Sequence, residues 1–320
     1  MMPNGAAITA AMRQAIALAR EVEGRTAPNP PVGAVALDET GAVLGGHAHQ
    51  GAGLPHAEAG LIQKLRAAGS LDMLHTMVVT LEPCAHYGRT PPCAQALIDA
   101  GAKQVIYGTP DPSEAARGGH HLLESARIAV RGGFLAEECD ALNAPFVKKA
   151  TTGLPYVVIK RAFRPDGAGG WTMRPAEGDK TFTRTGSLTR AHEIRRVCDG
   201  MLTGSGTILK DRPSFTVRHV EDHPKFAQGD AKRPLILLDR RGRVPSDWIE
   251  RASARFDLHH ADTPEAALKT FADLGCLQIL VEAGPALSSS ILNAGLWDVC
   301  FDFYRHDTED DLRISYASSA

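Results

Sequence analysis

Cysteine, aromatic side chains, net charge and long apolar runs are all scarce in this chain, and each shortage excludes something. Six cysteines in 320 residues are too few for a disulfide framework, and Cys139, Cys198, Cys276 and Cys300 stand singly in apolar surroundings. That usage suits a reducing cytoplasm, where the protein is expected to reside. With 35 basic residues against 37 acidic ones and aromatics at 6%, no basic, aromatic-bearing face is evident. Nucleic acid is therefore not expected as a partner, and a deaminase that edits nucleic acid is disfavoured. No stretch reaches the roughly 20 apolar residues of a membrane span, so no membrane partner is expected either. The opening "MMPNGAAITAAMRQAIALAR" lacks a basic lead and places arginines at helical spacing, which reads as an amphipathic helix rather than a signal peptide.

What is present alternates between strand and helix. A helix over about residues 7–22 is followed by "APNPP", the strand "VGAVALD", a turn at Gly41 and the strand "AVLGGHAH". A second helix starts near His56 and ends at Gly69; "TMVVTLEP" and "KQVIYG" read as strands flanking the short helix "PPCAQALIDAG". A Thr-Thr-Gly-Leu-Pro break follows a helix near residue 150, so two α/β domains are expected, 1–150 and 151–320. In the second, strands are expected at "YVVIKRA", "GMLTGSGT", "PLILLD" and "LQILVEAG", and helices over about Ser187–Val197, "TPEAALKTFADLG" and "PALSSSILNAG".

The first domain carries "HAEAGLIQKL" and then "TLEPCAHYGRTPPCAQAL", which put His56, Glu58, Cys84 and Cys93 within 38 residues. Each of these alone is more often a structural residue than a ligand. Together, in the order H-x-E, P-C, Cys, they match the zinc deaminase signature. His56, Cys84 and Cys93 supply three metal ligands and leave a position open, as catalytic zinc requires; a structural zinc would want a fourth. Glu58 is placed to take a proton from the activated water. His56 and Cys93 each follow proline at a helix start, where a helix N-terminus favours thiolate at Cys93. Eight residues, "AHYGRTPP", separate the cysteines where nucleobase deaminases have two, and this loop carries His86, Arg89 and Thr90, groups suited to a phosphate or sugar.

"APNPPVGAV", "PHAE", "TLEPCAHYGRTPPC" and "DPSEAARG", in that order, resemble the bifunctional deaminase/reductase family of riboflavin biosynthesis over essentially the whole chain. The resemblance implies a cytidine-deaminase-like α/β/α domain followed by a dihydrofolate-reductase-like α/β domain, assembled as a homo-oligomer through the C-terminal domain. It implies Zn2+ and NADPH as cofactors and a small phosphoribosylated pyrimidine as substrate. The implied chemistry is hydrolytic loss of the 2-amino group of 2,5-diamino-6-(5-phosphoribosylamino)pyrimidin-4(3H)-one, then reduction of the ribosyl group to ribityl. Asn29 would hydrogen-bond the pyrimidine; on its residues alone it reads equally as a turn between prolines.

In the second domain "VVIKRA", "GSGTILKDRPSFTVR" and "ILVEAGPAL" fall on the family's reductase motifs. They carry over Lys160, Ala162, Gly204, Thr207, Asp211 and Gly284 as cofactor-binding residues, and Arg218 and Glu282 as substrate-binding ones. The chain departs from the family at "RPDG", at Phe182 in place of a tryptophan, at Ala283 within "EAGP", and after "LWDV", where it runs almost directly to its last strand. The second domain is therefore expected to be shortened, with a wall of its pocket lost. The alternative this leaves is a deaminase whose C-terminal domain no longer catalyses.

Overall fold

The computed structural model describes residues 3–86, 91–113, 118–173 and 183–317. The chain divides into two units, Met1–Gly153 and Leu154–Ala320.

In the first unit the helix α1 (Gly5–Val22) starts at Asn4, whose side chain accepts the Ala7 N–H, and it buries Ile8, Ala11, Met12, Ala15, Ile16, Ala19 and Val22. This is the i, i+3, i+4 stripe of an amphipathic helix. There follow β1 (Gly33–Leu37), β2 (Val43–Ala48), α2 (Ala57–Ala67), β3 (Thr76–Leu81), α3 (Cys93–Asp99), β4 (Gln104–Thr109), α4 (Gly119–Ser125), β5 (Ala129–Arg131) and α5 (Ala136–Thr152). The sheet order is β2-β1-β3-β4-β5, with β1 antiparallel to both neighbours and β3, β4 and β5 parallel. Every residue of β1 and β3 is buried, because helices cover both faces of the sheet. Val35 and Leu37 pack into the cluster with α1, and Ala34 and Ala36 into the cluster with α2 and α3, as the two-residue period of a strand requires. The unit ends at Gly153 rather than at 150 because α5 continues through Thr152.

The second unit contains β6 (Tyr156–Pro165), β7 (Trp171–Thr172), α6 (Thr185–Val197), β8 (Gly200–Gly204), α7 (Ser205–Asp211), α8 (Pro224–Ala227), β9 (Arg233–Leu238), α9 (Ser246–Arg255), β10 (Phe256–Ala261), α10 (Pro264–Asp273), β11 (Gln278–Glu282), α11 (Pro285–Asn293), β12 (Val299–Arg305) and β13 (Asp310–Tyr316). Its main sheet runs β10-β9-β8-β11-β6-β12-β13, with β7 on β6. All neighbours on that path are parallel except β13, which is antiparallel to β12. Two apolar clusters, one on each face, seat the helices.

One local expectation is corrected. "GMLTGSGT" is not one strand: β8 stops at Gly204, and Ser205–Asp211 turns helical, which brings the chain round the strand's end. The helix α9 and the strand β10 were not expected. Only Trp248 and Ala252 of α9 are buried, and only Phe256 of β10, an edge strand, so neither leaves an obvious apolar pattern in the sequence. The tryptophan replacement at Phe182 lies outside the described residues. Among the described residues no helix is long and apolar enough to cross a membrane.

The contact between α1 and β1 depends on Gly33, since a Cβ there would lie 2.0 Å from the carbonyl oxygen of Ala15. Backbone cannot yield as a flexible side chain does. Gly33→Ala is therefore expected to destabilise the first unit by about 1–3 kcal/mol, read as a lower denaturant midpoint. Gly5→Ala, where a Cβ meets nothing within 4 Å, leaves the midpoint unchanged.

Candidate active sites

Each unit holds one site. In the first, Pro55 hands the chain to α2 with His56 at its N-cap in extended conformation and Glu58 in its first turn. Cys93 is the first residue of α3, and half-buried Cys84 lies in the turn after β3. His56 Nδ1 stands 3.3 Å from Cys93 Sγ and 3.7 Å from Cys84 Sγ, and the three donor atoms lie within 4.8 Å of one another. Tetrahedral zinc with bonds of about 2.0 Å to nitrogen and 2.3 Å to sulfur needs a donor separation of about 3.6 Å, so this set fits the ion.

The two sulfurs lie close enough that the ionisation of one bears on the other. Cys84 lies in front of α3, where the Cys93 backbone N–H donates to its sulfur at 3.3 Å. The Cys93 thiol lowers the Cys84 thiol most; His56 and that backbone N–H add to it against the effect of burial, and the net result is a Cys84 thiol far below the ordinary range. Cys93 is driven upward by Cys84, by burial and by Glu58. Glu58, 3% exposed, is raised above the ordinary carboxyl range by burial and then by the charge of Cys84. A carboxyl raised in this way is a better proton acceptor when ionised.

His56, Glu58 and Cys84 line a cavity of about 300 Å3 together with Asn29, His49, His86 and Asp111. His49 gave no sign in the sequence, yet it orients Asn29. Its Nδ1 is 3.0 Å from the Pro55 carbonyl, which can only accept, so Nδ1 carries the hydrogen. Nε2 must then accept from Asn29 Nδ2 at 3.0 Å, which leaves the Asn29 oxygen for another partner. Glu82 is the second residue without a sequence signal. Its carboxylate accepts the N–H groups of Asp111, Gly118 and His120, and so ties the wall that carries Asp111 to the end of β3. His86 is exposed at the cavity; Arg89 and Thr90 lie outside the described residues.

In the second unit Lys160, Ala162, Thr207, Asp211, Arg218, Glu282 and Gly284 line one pocket of about 260 Å3. Gly204 lines an adjoining cleft of about 760 Å3, which shares Thr207, Asp211 and Gly284 with the pocket. Glu282 ends β11 opposite Lys160 of β6. Arg195 grips both oxygens of Glu282 at 2.7–3.1 Å, and Lys160 Nζ stands 3.7 Å away. Burial alone would raise Glu282, but Arg195 and Lys160 overcome it and hold the carboxyl below its ordinary value. Thr207 Oγ1 accepts the Gly284 N–H at 2.9 Å, joining α7 to the start of α11. The cleft opens at the carboxyl ends of β8, β9 and β11, where parallel sheets bind ligands. Lys210, Arg240, Arg241 and Arg243 bring four cations to it, against Asp211 and Asp262. In the sequence "DRRGRVPSD" reads as a solvated turn, and Arg195 as one more charge on a helix. Their roles depend on residues far along the chain, Glu282 being 87 positions from Arg195.

Residues 7–109 match the cytidine and deoxycytidylate deaminase zinc-binding region, and residues 161–301 match the RibD C-terminal domain. The riboflavin biosynthesis protein RibD of Mycobacterium tuberculosis is 36% identical over 293 residues, covering 90% of this chain and 82% of that one. RibD of Escherichia coli is 35% identical over 317 residues, covering 90% and 84%. Among solved structures, RibD of Acinetobacter baumannii superposes with a TM-score of 0.79 at 32% identity, covering 93% of this chain and 86% of that one. A Thermotoga maritima diaminohydroxyphosphoribosylaminopyrimidine deaminase/5-amino-6-(5-phosphoribosylamino)uracil reductase does so at 0.78 and 30%, with the same coverage. Both domains of such proteins are present, and nothing among the described residues supports a deaminase with a degenerate second half. The chain belongs to the RibD family, the riboflavin-biosynthesis enzymes that join a zinc-dependent deaminase to an NADPH-using reductase.

Proposed function

We propose that the chain performs two successive steps on one phosphoribosylated pyrimidine in the cytoplasm. In the first, water adds to the 2-carbon of 2,5-diamino-6-(5-phosphoribosylamino)pyrimidin-4(3H)-one. The bond to the amino nitrogen then breaks, releasing ammonia and 5-amino-6-(5-phosphoribosylamino)uracil. In the second, the bond between C1′ and the ribose ring oxygen opens; C1′ gains a hydride and the oxygen a proton, which gives the ribityl chain.

The observation that carries the reading is the convergence of His56 Nδ1 on two sulfur atoms at 3.3 and 3.7 Å beside a buried glutamate. His56, Cys84 and Cys93 would hold zinc, which supplies a Lewis acid that makes water acidic near neutral pH. Glu58 takes the proton from the attacking water and returns protons to the ring nitrogen and the departing ammonia. Asn29, turned by His49, offers its oxygen to a pyrimidine N–H. His86, Arg89 and Thr90 serve the ribosyl phosphate.

In the second unit the large cleft would hold NADPH, the hydride donor, with Gly204, Thr207, Asp211 and Gly284 along it and Lys210, Arg240, Arg241 and Arg243 for its phosphates. Lys160 and Ala162 line the adjoining pocket and would meet the cofactor from there, and Glu282 and Arg218, which line the same pocket, would face the substrate. Contact between copies through the second unit belongs to the same reading. It is supported by the edge strand β13, where Ile314 and Tyr316 are 44% and 70% exposed.

Glu58→Gln is expected to lower ammonia release about 100- to 10,000-fold while the protein keeps its zinc, measured by metal analysis of the same sample. Retained turnover would remove Glu58 from the chemistry. His56→Ala loses zinc and activity together.

NADPH at 100 times its dissociation constant is expected to stabilise the protein by about 2.7 kcal/mol, seen as a raised melting temperature. The combined Arg240→Ala and Arg243→Ala change removes most of that shift and leaves ammonia release untouched. An unchanged shift would take these arginines out of the cofactor site.

A further inference from the structure

We propose that His192 is a positioning residue for the reductase step: it holds the backbone of Arg218 so that this guanidinium meets the phosphate of the ribosyl substrate. The proposal rests on the reading of Arg218 as a substrate-binding residue and assigns what sets its position.

Among the described residues, the pocket of Lys160 and Glu282 is lined by three arginines, Arg161, Arg195 and Arg218. Two are committed. Arg161 is bidentate on Asp302 at 2.6 and 2.7 Å, and Arg195 is bidentate on Glu282. Arg218 instead bonds hydroxyls, Thr216 Oγ1 at 2.9 Å and Ser214 Oγ. Hydroxyl partners are readily exchanged for an anion, whereas a carboxylate already neutralises its arginine.

Arg218 lies between α7 and α8, on a segment without helix or strand whose backbone is left-handed at Arg212 and Phe215 (φ 42° and 52°). Backbone groups on such a segment need partners from elsewhere. Two come from α6, from residues one turn apart: Arg195 Nη1 donates to the Thr216 carbonyl at 2.6 Å, and the Arg218 N–H donates to His192 Nδ1 at 2.9 Å. The bond to His192 fixes the chemistry of the ring. A backbone N–H only donates, so Nδ1 is the bare nitrogen and the imidazole is neutral. His192 is 3% exposed. Burial, Arg195, Arg218 and His219 push its pKa down to about 4 against the pull of Glu282, so the acceptor persists across physiological pH.

The test uses the full-length enzyme with 5-amino-6-(5-phosphoribosylamino)uracil and its dephosphorylated counterpart. His192→Leu is expected to raise KM for the phosphorylated substrate about tenfold, with kcat, NADPH affinity and ammonia release within about twofold. The preference for the phosphorylated substrate falls by the same factor. His192→Asn, whose side-chain oxygen can accept at the Nδ1 position, restores most of the loss. Should the leucine variant not fold, His192→Gln, which carries its acceptor one bond farther out, takes its place. An equal rise in KM for both substrates, or an asparagine variant no better than leucine, would mean that His192 only fills space. Arg218→Leu separates the two readings. If it leaves the phosphate preference intact, the assignment of Arg218 fails; if it abolishes the preference and His192→Leu does not, the proposal for His192 alone fails.

Discussion

Two thiols and an imidazole nitrogen aimed at one point are the constraint around which the first unit is built. Without a cation, the first sulfur to ionise opposes the ionisation of the second, since like charges so close disfavour each other. The fold accepts this cost in a place that could not be relaxed locally, because the three donors come from a strand end and two helix starts. α1, β1 and the clusters on both faces of the sheet keep those elements in place. A divalent ion removes the conflict by sharing charge with both sulfurs, so the metal's contribution to binding is also a contribution to folding. Glu58 sits beside these sulfurs, and its burial raises the carboxyl and so favours its taking a proton.

The second unit meets a similar cost differently. Glu282 is buried at the end of a central parallel strand, where an unpaired carboxylate would be strongly destabilising. Arg195 takes both of its oxygens, and this leaves Lys160 at 3.7 Å, too far for a hydrogen bond. An amine that is near a carboxylate but not hydrogen-bonded to it can turn to another group. Arg195 therefore neutralises Glu282 without using up Lys160. The same guanidinium reaches the Thr216 carbonyl, so the segment of Arg218 is tied to the residue that neutralises the strand end.

How much of this the sequence reveals follows from the range of each interaction. His56, Glu58, Cys84 and Cys93 are legible because the metal's demands fall on short spacings and on residue types that seldom coincide. β1 and β3 are legible because full burial on both faces leaves continuous apolar runs. His49 and Glu82 are not. Each acts on backbone or amide groups, Pro55, Asn29, Asp111 and Gly118, that any residue type could supply. α9 and β10 lie at one edge of the sheet with few buried side chains, so their pattern resembles a loop. Arg195, His192 and the arginines after β9 look like solvated charge until the parallel sheet brings distant strand ends together.

The shortening expected after Trp297 would bear on the same sheet, and the place of β12 and β13 in it decides the consequence. β12 passes to β13 through residues 306–309 alone, and the two strands pair without interruption from Val299 with Tyr316 to Arg305 with Asp310. β13 is the outermost strand, separated from β11 by β12 and β6. The cleft and pocket draw on the ends of β6, β8, β9 and β11 and on α6, α7 and α11. A short connection to β13 would therefore spare the strands that carry the site, and β12 supplies Asp302 to hold Arg161. An edge can lose length without moving a central strand, because each strand's register is set by its immediate neighbours and by the helices on its faces.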